Sequence, residues 1–345
     1  MLKRIVLALA LCWSATAAAD FFEIDFFRKH EEAQAERLLS ERDYEEAREA
    51  LEALAETADG DVEKALWRAR AAIAVGLQDG RFDEGMEMAE AIEDRPYSIQ
   101  ARIELMHSKR DYAGLIEAFG DENIAEWPAR RIPPKPRYGN EADARCIALY
   151  HRGHAYYQTS EGEAAARDLA KASELAQNSR RKLDIWRIQA ANYTQRLGDE
   201  EKAFEANMRI AGLGGGGANF YRGVIGAANY LRGQGQHDEA LDVLSRMNPY
   251  EQRGWWLGEG LIAVGRTLAE AGRTDEAVEA YMQVAETEDQ RDRHRSAAYF
   301  LAAEALADAG RAEEAIEAYK TLLDFDGASD DHKERADEAL GEMER

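Results

Sequence analysis

The apolar positions of this chain recur at three- and four-residue spacing in short runs. Each run closes in a turn and is followed by a second run that opens on acidic residues. Leu261, Val264 and Leu268 form one such stripe, and Val224, Ala227 and Leu231 another; this is the period of an amphipathic helix, not the alternation of a strand. The stretch LAEAGRTDEAVEAY, from Leu268 to Tyr281, reads as a helix end, a turn at Gly272 and a second helix. It returns 38 residues later as LADAGRAEEAIEAY, from Leu306 to Tyr319. Aligned on the small residue after the acidic pair, the copies fall at Ala47, Gly85, Leu115, Ala165, Ala203, Ala240, Ala277 and Ala315, at intervals of 38, 30, 50, 38, 37, 37 and 38. Self-similarity at this period is the signature of a repeat array. The pattern predicts eight antiparallel helical hairpins and a terminal helix, an all-α right-handed superhelical solenoid without a β-sheet.

Twelve places before the anchor the residue is again small at Ala35, Gly153, Ala191, Ala228, Gly265 and Ala303. Two small residues let helix axes approach until the flanking Leu and Tyr interdigitate. Leu149, Gly153, Tyr156, Ala165, Leu169 and Ala172 in the fourth hairpin carry this pattern, as do Tyr299, Ala303, Leu306, Ala315, Tyr319 and Leu322 in the eighth. In these residues the chain resembles the tetratricopeptide repeat (TPR) family, over roughly 28–323, and an exported bacterial member of it. Hairpins two and three depart from the pattern, with Ile73, Ile103 and Leu115 at small-residue positions, and their register stays open. The resemblance implies a scaffold that binds a protein or peptide in a groove lined by the first helix of each hairpin. Carried over position by position, that groove takes Ile147, Tyr150, His154, Tyr157 and Gln158 from hairpin four and Ile185, Ile188, Asn192, Gln195 and Arg196 from hairpin five. It takes Arg222, Ile225, Asn229 and Arg232 from hairpin six, and Arg266 from hairpin seven. The family members that clamp a carboxylate place a Lys four residues before the groove Asn; here Ile188 and Ile225 stand there, so that specificity is not expected.

The remaining segments divide as follows. Residues 1–19 combine Lys3 and Arg4, an apolar run from Ile5 to Trp13 and small residues at A-x-A spacing, which reads as a secretory signal peptide and predicts export to a periplasm or beyond. The apolar run falls short of the roughly 20 residues that span a bilayer, and no transmembrane segment is expected in the mature chain. Residues 20–27 hold four phenylalanines and read first as an aromatic cap on the first hairpin and second as a tail that contacts a partner or a membrane; 28–121 hold hairpins one to three. Residues 122–140 form a Pro/Arg-rich loop in which Arg130, Arg131, Lys135 and Arg137 appear with no acid between Trp127 and Gly139. An internal strap along an acidic solenoid is its first reading, and a docking site the second. Hairpins four to eight occupy 141–325, and 326–345 forms a capping helix with Ala336, Ala339, Leu340 and Met343 on one face.

Charge narrows the partners. With 44 basic and 67 acidic residues the net charge is −23, and removing the leader makes it −25, since Lys3 and Arg4 leave with no acid. Nucleic acid and anionic membrane are repelled by such a chain. Cys146 is the only cysteine beyond the leader, so no internal disulfide forms. Gly212–Asn219 spells G-x-G-x-x-G, but it follows a helix and lacks the strand that a dinucleotide site needs. No P-loop, G-x-S-x-G, H-E-x-x-H or C-x-x-C occurs, so neither catalysis nor a cofactor is expected. His151 and His154 lie three apart on one helix without a third ligand at set spacing, short of a metal site. What remains is a surface. The candidate site is Tyr150, His154, Tyr157, Asn192, Arg196, Arg222, Asn229, Arg232 and Arg266, and the arginines predict a partner with acidic character or a free carboxylate. The alternative is a carbohydrate- or cell-wall-binding module that stacks on Tyr150, Tyr157, Trp255 and Trp256.

Overall fold

The computed structural model describes residues 28–133, 142–214, 217–247, 255–287 and 290–343. The proposed leader and the aromatic segment 20–27 lie outside these. Two compact units result, Met1–Asn192 and Tyr193–Arg345, and the described residues contain 17 helices. In the first unit α1 (28–41) pairs with α2 (Tyr44–Glu56), α3 (Asp61–Gly76) with α4 (Phe82–Glu90), α5 (Arg95–Ser108) with α6 (Tyr112–Phe119), and α7 (Ala144–Gln158) with α8 (Gly162–Leu175), before α9 (Ser179–Asn192). The second unit begins with a π turn, Tyr193–Leu197, and α10 (Glu200–Leu213). It continues with the hairpins α11 (Ala218–Gly233) and α12 (His237–Ser245), α13 (Trp255–Glu270) and α14 (Thr274–Ala285), and α15 (Asp292–Asp308) and α16 (Ala312–Asp324), and ends in α17 (Asp330–Met343). The all-α solenoid of hairpins with a single C-terminal helix is thus the fold.

The hairpin turns follow from short-range chemistry. Five residues before each anchor the backbone is left-handed, at Arg42, Gly80, Arg110, Ser160, Gly198, Gly235, Gly272 and Gly310. In most of them the next amide reaches back to the last turn, as in Arg273 N–H to Leu268 O (2.8 Å) and Arg311 N–H to Leu306 O (2.9 Å). That bond satisfies a carbonyl the helix end leaves open and stops the helix there. All eight anchors are buried, so the phase read from the sequence holds on every second helix.

The first helices correct that phase in hairpin two. Arg70 pairs with Glu36 and faces Glu104, three residues spaced by 34, the usual period of such repeats. The connection after α3 runs from Leu77 to Arg81, whereas α1 and α2 are joined by Arg42 and Asp43 alone. The connection is three residues longer and α3 runs one residue further than α1, which together move the second helix along by four residues; this is why the first anchor interval is 38 and the next 30. Ala69, 34 residues after Ala35, therefore holds the small-residue position in place of Ile73. Gly85 meets Gly76 instead, so closely that a Cβ at Gly85 would lie 2.5 Å from the Gly76 Cα.

A second correction concerns the expected absence of β-structure. Arg131–Ile132 and Ala142–Asp143 form a two-residue antiparallel pair, Arg131 opposite Asp143 and Ile132 opposite Ala142. The extended backbone that the prolines impose leaves peptide groups open, and here they pair across the base of the loop. Residues 127–133 are a strap. Ile132 is buried in the cluster of Ala35, Trp67, Tyr97 and Ala101, Tyr97 Oη donates to Arg131 O (2.7 Å), and Arg130 Nε donates to Asp94 (2.9 Å). Arg131 reaches Glu32 on α1 at 3.2 Å, tying residues 99 apart. The rest of the loop, 134–141, lies outside the described residues.

In the second unit, α10 rather than a strand precedes the glycine run, and α11 follows Gly217. The C-terminal helix seals α15 and α16 with Ala336 and Leu340. His332 Nδ1 lies 2.8 Å from Ser296 Oγ and 2.9 Å from Ser329 Oγ, with its ring stacked on Phe300. Ser296 is fully buried, so this serine–histidine pair clamps the cap and cannot present a nucleophile.

Candidate functional site

In the first unit, α5, α7 and α9 bring together one set of groove residues. Tyr150, His154 and Tyr157 follow one another along α7 at spacings of four and three, which puts them on one face, and all three are half-buried. The neighbouring helix adds His107, whose Nε2 lies 2.7 Å from His154 Nδ1. Its ring centre is 4.3 Å from that of His151, and Tyr112 closes the edge 5.7 Å from His154. Gln158 hydrogen-bonds His154 Nε2 (2.9 Å). From α9, the Arg181 guanidinium lies over Tyr150, 5.1 Å from the ring centre, and Arg187 hydrogen-bonds the Tyr150 hydroxyl.

Burial dominates the electrostatics of this cluster. It pushes His154 down to about 4, with His107 and Arg187 adding to the effect. It also lowers His107, against the opposing pull of Glu104, and raises the Tyr150 phenol. The imidazoles are therefore neutral at pH 7 and act as hydrogen-bonding and stacking groups, while the positive charge of the face comes from Arg181 and Arg187. Three histidines converge where the sequence pointed to two, yet among the described residues no three His, Cys, Asp or Glu side chains are placed to hold a metal ion.

Other candidates are placed differently. Asn192 is completely buried and donates to Gly162 O (2.9 Å); it fastens α9 to α8 and cannot offer its amide to a ligand. Ile147, Ile185 and Ile188 are also buried and belong to packing. The second unit carries Arg196, Arg222, Asn229 and Arg266, all exposed, and Arg232, half-buried. Asn229 and Asn192, equivalent in the repeat, thus differ in role. Arg232 Nε is 3.2 Å from Glu270, so part of its charge is spent within the chain. Arg266 acts on the carboxyl of Glu304 and the phenol of Tyr281. Trp255 and Trp256 lie outside the described side chains.

The sequence reading missed His107, Tyr112, Arg181 and Arg187. His107 and Tyr112 belong to hairpin three, which departs from the pattern; Arg181 precedes the first groove position of hairpin five and Arg187 falls between two of them. Cys146 is buried, with its thiol donating to Ala172 O (3.3 Å) and pushed up to about 11 by burial. No helix of the described residues is long and apolar enough to cross a membrane.

Comparison with known proteins adds to this. Residues 296–328, which hold most of α15, all of α16 and the connection to α17, match the tetratricopeptide repeat family model. No curated protein matches the chain. Among solved structures, the putative kinesin light chain of Podosopora anserina, described as nearly identical TPR-like repeats, is 18% identical with a TM-score of 0.42, covering 52% of this chain and 92% of that one. A thermophilic TPR protein of Thermus thermophilus is 20% identical with a TM-score of 0.37, covering 56% and 98%. A tetratricopeptide repeat protein of Parabacteroides merdae is 14% identical with a TM-score of 0.39, covering 83% and 99%.

Proposed function

We propose that this chain of helical hairpins, whose residues 296–328 match the tetratricopeptide repeat family model, is an exported protein-interaction scaffold of the cell envelope that binds an acidic peptide or a free carboxylate. The binding face is that of α5, α7 and α9. The observation that carries this reading is the assembly of Tyr150, His154 and Tyr157 with Arg181 and Arg187 on neighbouring first helices. Guanidinium groups supply charge-assisted hydrogen bonds to a carboxylate, and the rings supply apolar area at low conformational cost. The basic leader with its A-x-A small residues supports export. A sugar-stacking site is disfavoured by the Tyr150 ring, which Arg181 already covers.

The test uses the mature full-length protein and fluorescent peptides that end in Asp or Glu, with free or amidated C-termini. Free-acid peptides should bind more tightly, lose affinity in salt, and be weakened about tenfold or more by Arg187→Glu, an effect of the size seen when a charge-assisted hydrogen bond to a ligand is removed. Equal binding of the amidated peptides, or no effect of the reversal, would remove the site from this face.

A further inference from the structure

The seventh hairpin carries a groove that the binding face above does not use. Its floor is the α13 stripe Leu257, Leu261, Val264 and Leu268, its rim includes Glu279 of α14 and Glu286 directly after that helix, and its volume is about 560 Å³. At about 100° per residue, Arg266 sits roughly 200° around α13 from both Val264 and Leu268. The groove therefore opens on another side of the helix from the first-helix candidates.

Its chemistry is specific. The floor residues are spaced by four, three and four, a stripe about 16 Å long at 1.5 Å per residue, which matches the i, i+4, i+7 anchors of a docked helix. Leu261 and Leu268 are buried and packed within the hairpin core, but Leu257 and Val264 stay half-buried and gain from a further apolar cover. Glu276 on the same rim is engaged by Arg273. Glu279 and Glu286 are exposed and make no ion pair among the described residues. An acidic helix laid here would meet like charge, whereas lysines or arginines beside its apolar anchors would meet two uncompensated carboxylates.

From this geometry we infer that the α13–α14 groove docks a basic amphipathic helix of a partner protein, apolar anchors on Leu257 and Val264 and cationic side chains on Glu279 and Glu286. The chain's net charge of −23 also draws such a segment from a distance. This site is independent of the carboxylate-binding face and takes a ligand of opposite charge.

The probe is a synthetic helix of about five turns, roughly 18 residues, with Leu at i, i+4, i+7 and i+11 flanked by Lys and Arg. It is compared with an analogue carrying Glu at the flanks and one with the Leu positions scrambled. Binding to the mature protein is followed by fluorescence anisotropy at low and high salt, and self-association by sedimentation. The basic helix should bind, weaken in salt, and lose about tenfold or more in affinity to Glu279→Lys with Glu286→Lys. The equally charged control Glu313→Lys with Glu317→Lys on α16 should retain at least half the affinity. Arg187→Glu should leave this binding unchanged, which separates it from the carboxylate site. Loss of binding in both double variants alike, tight binding of the scrambled or acidic helix, or no binding of the basic one overturns the proposal. A concentration-dependent dimer abolished by Glu279→Lys with Glu286→Lys assigns the groove to a second copy and overturns it too.

Discussion

Replacing Arg70 by Met should cost the first unit more than any surface change. Arg70 donates through Nε and Nη2 to the two oxygens of Glu36, each at 2.6 Å, and both side chains are 1% exposed. Glu104, 3.9 Å away and 18% exposed, keeps contact with water and with Gln100 (2.7 Å). Removing the guanidinium strands the Glu36 carboxylate in the core, and breaking one side of a buried pair costs about 3–5 kcal/mol. For a unit of this size that lowers Tm by roughly 6–20 °C, at about 2–4 °C per kcal/mol. The double variant Glu36→Leu with Arg70→Met replaces the pair by apolar groups, and such replacements are about neutral or stabilising. The double should therefore recover most of the loss. Chemical unfolding of both variants, with hydrogen exchange to localise the change to α1, α3 and α5, is the assay, because repeat arrays depart from two-state unfolding. A loss below about 1 kcal/mol in the single variant, typical of exposed pairs, or a double no better than the single, would refute the reasoning.

Three further outcomes are expected. His154 and His107 have folded-state affinities for protons below the ordinary histidine value of 6.5, so the unfolded chain binds more protons as pH falls from about 6.5 toward 4. Stability should then fall in that window by at most about 3 kcal/mol for His154, less after solvent screening, and His154→Gln should flatten the profile of urea midpoint against pH; an unchanged profile would put both imidazoles in water. Ser160→Gly should stabilise by up to about 1 kcal/mol and Gly272→Ala destabilise by about 1–2 kcal/mol, since both positions are left-handed at φ 70° and 74°, and equal thermal midpoints for wild type and variants would contradict the turn geometry. Mass spectrometry of the protein from its native host should find Asp20 at the N-terminus, and an intact Met1 would end the export proposal.

The sequence by itself determined the features whose cause lies within a few residues. A left-handed turn, an acidic helix start and a small anchor five positions on are local, so Gly272 and Gly310 marked their hairpins directly. The other turns, even those built on Arg42, Arg110 and Ser160, kept the same distance to their anchors. The apolar period gave the helices, and Ala336 and Leu340 the buried face of the last one. Tertiary structure decided what depends on neighbouring hairpins. Only the Glu36–Arg70–Glu104 ladder reveals that hairpin two has a longer turn and an unshifted first helix, because a four-residue insertion moves α4 along α3 by about one turn and leaves the apolar period intact. Asn192 and Asn229 occupy one repeat position, yet one is buried against Gly162 and the other faces solvent. His107 joins His154 across 47 residues of sequence, and Arg131 finds Glu32 across 99. Burial and pairing of this kind are properties of two packed surfaces at once, and a periodic pattern in one helix specifies only its own surface.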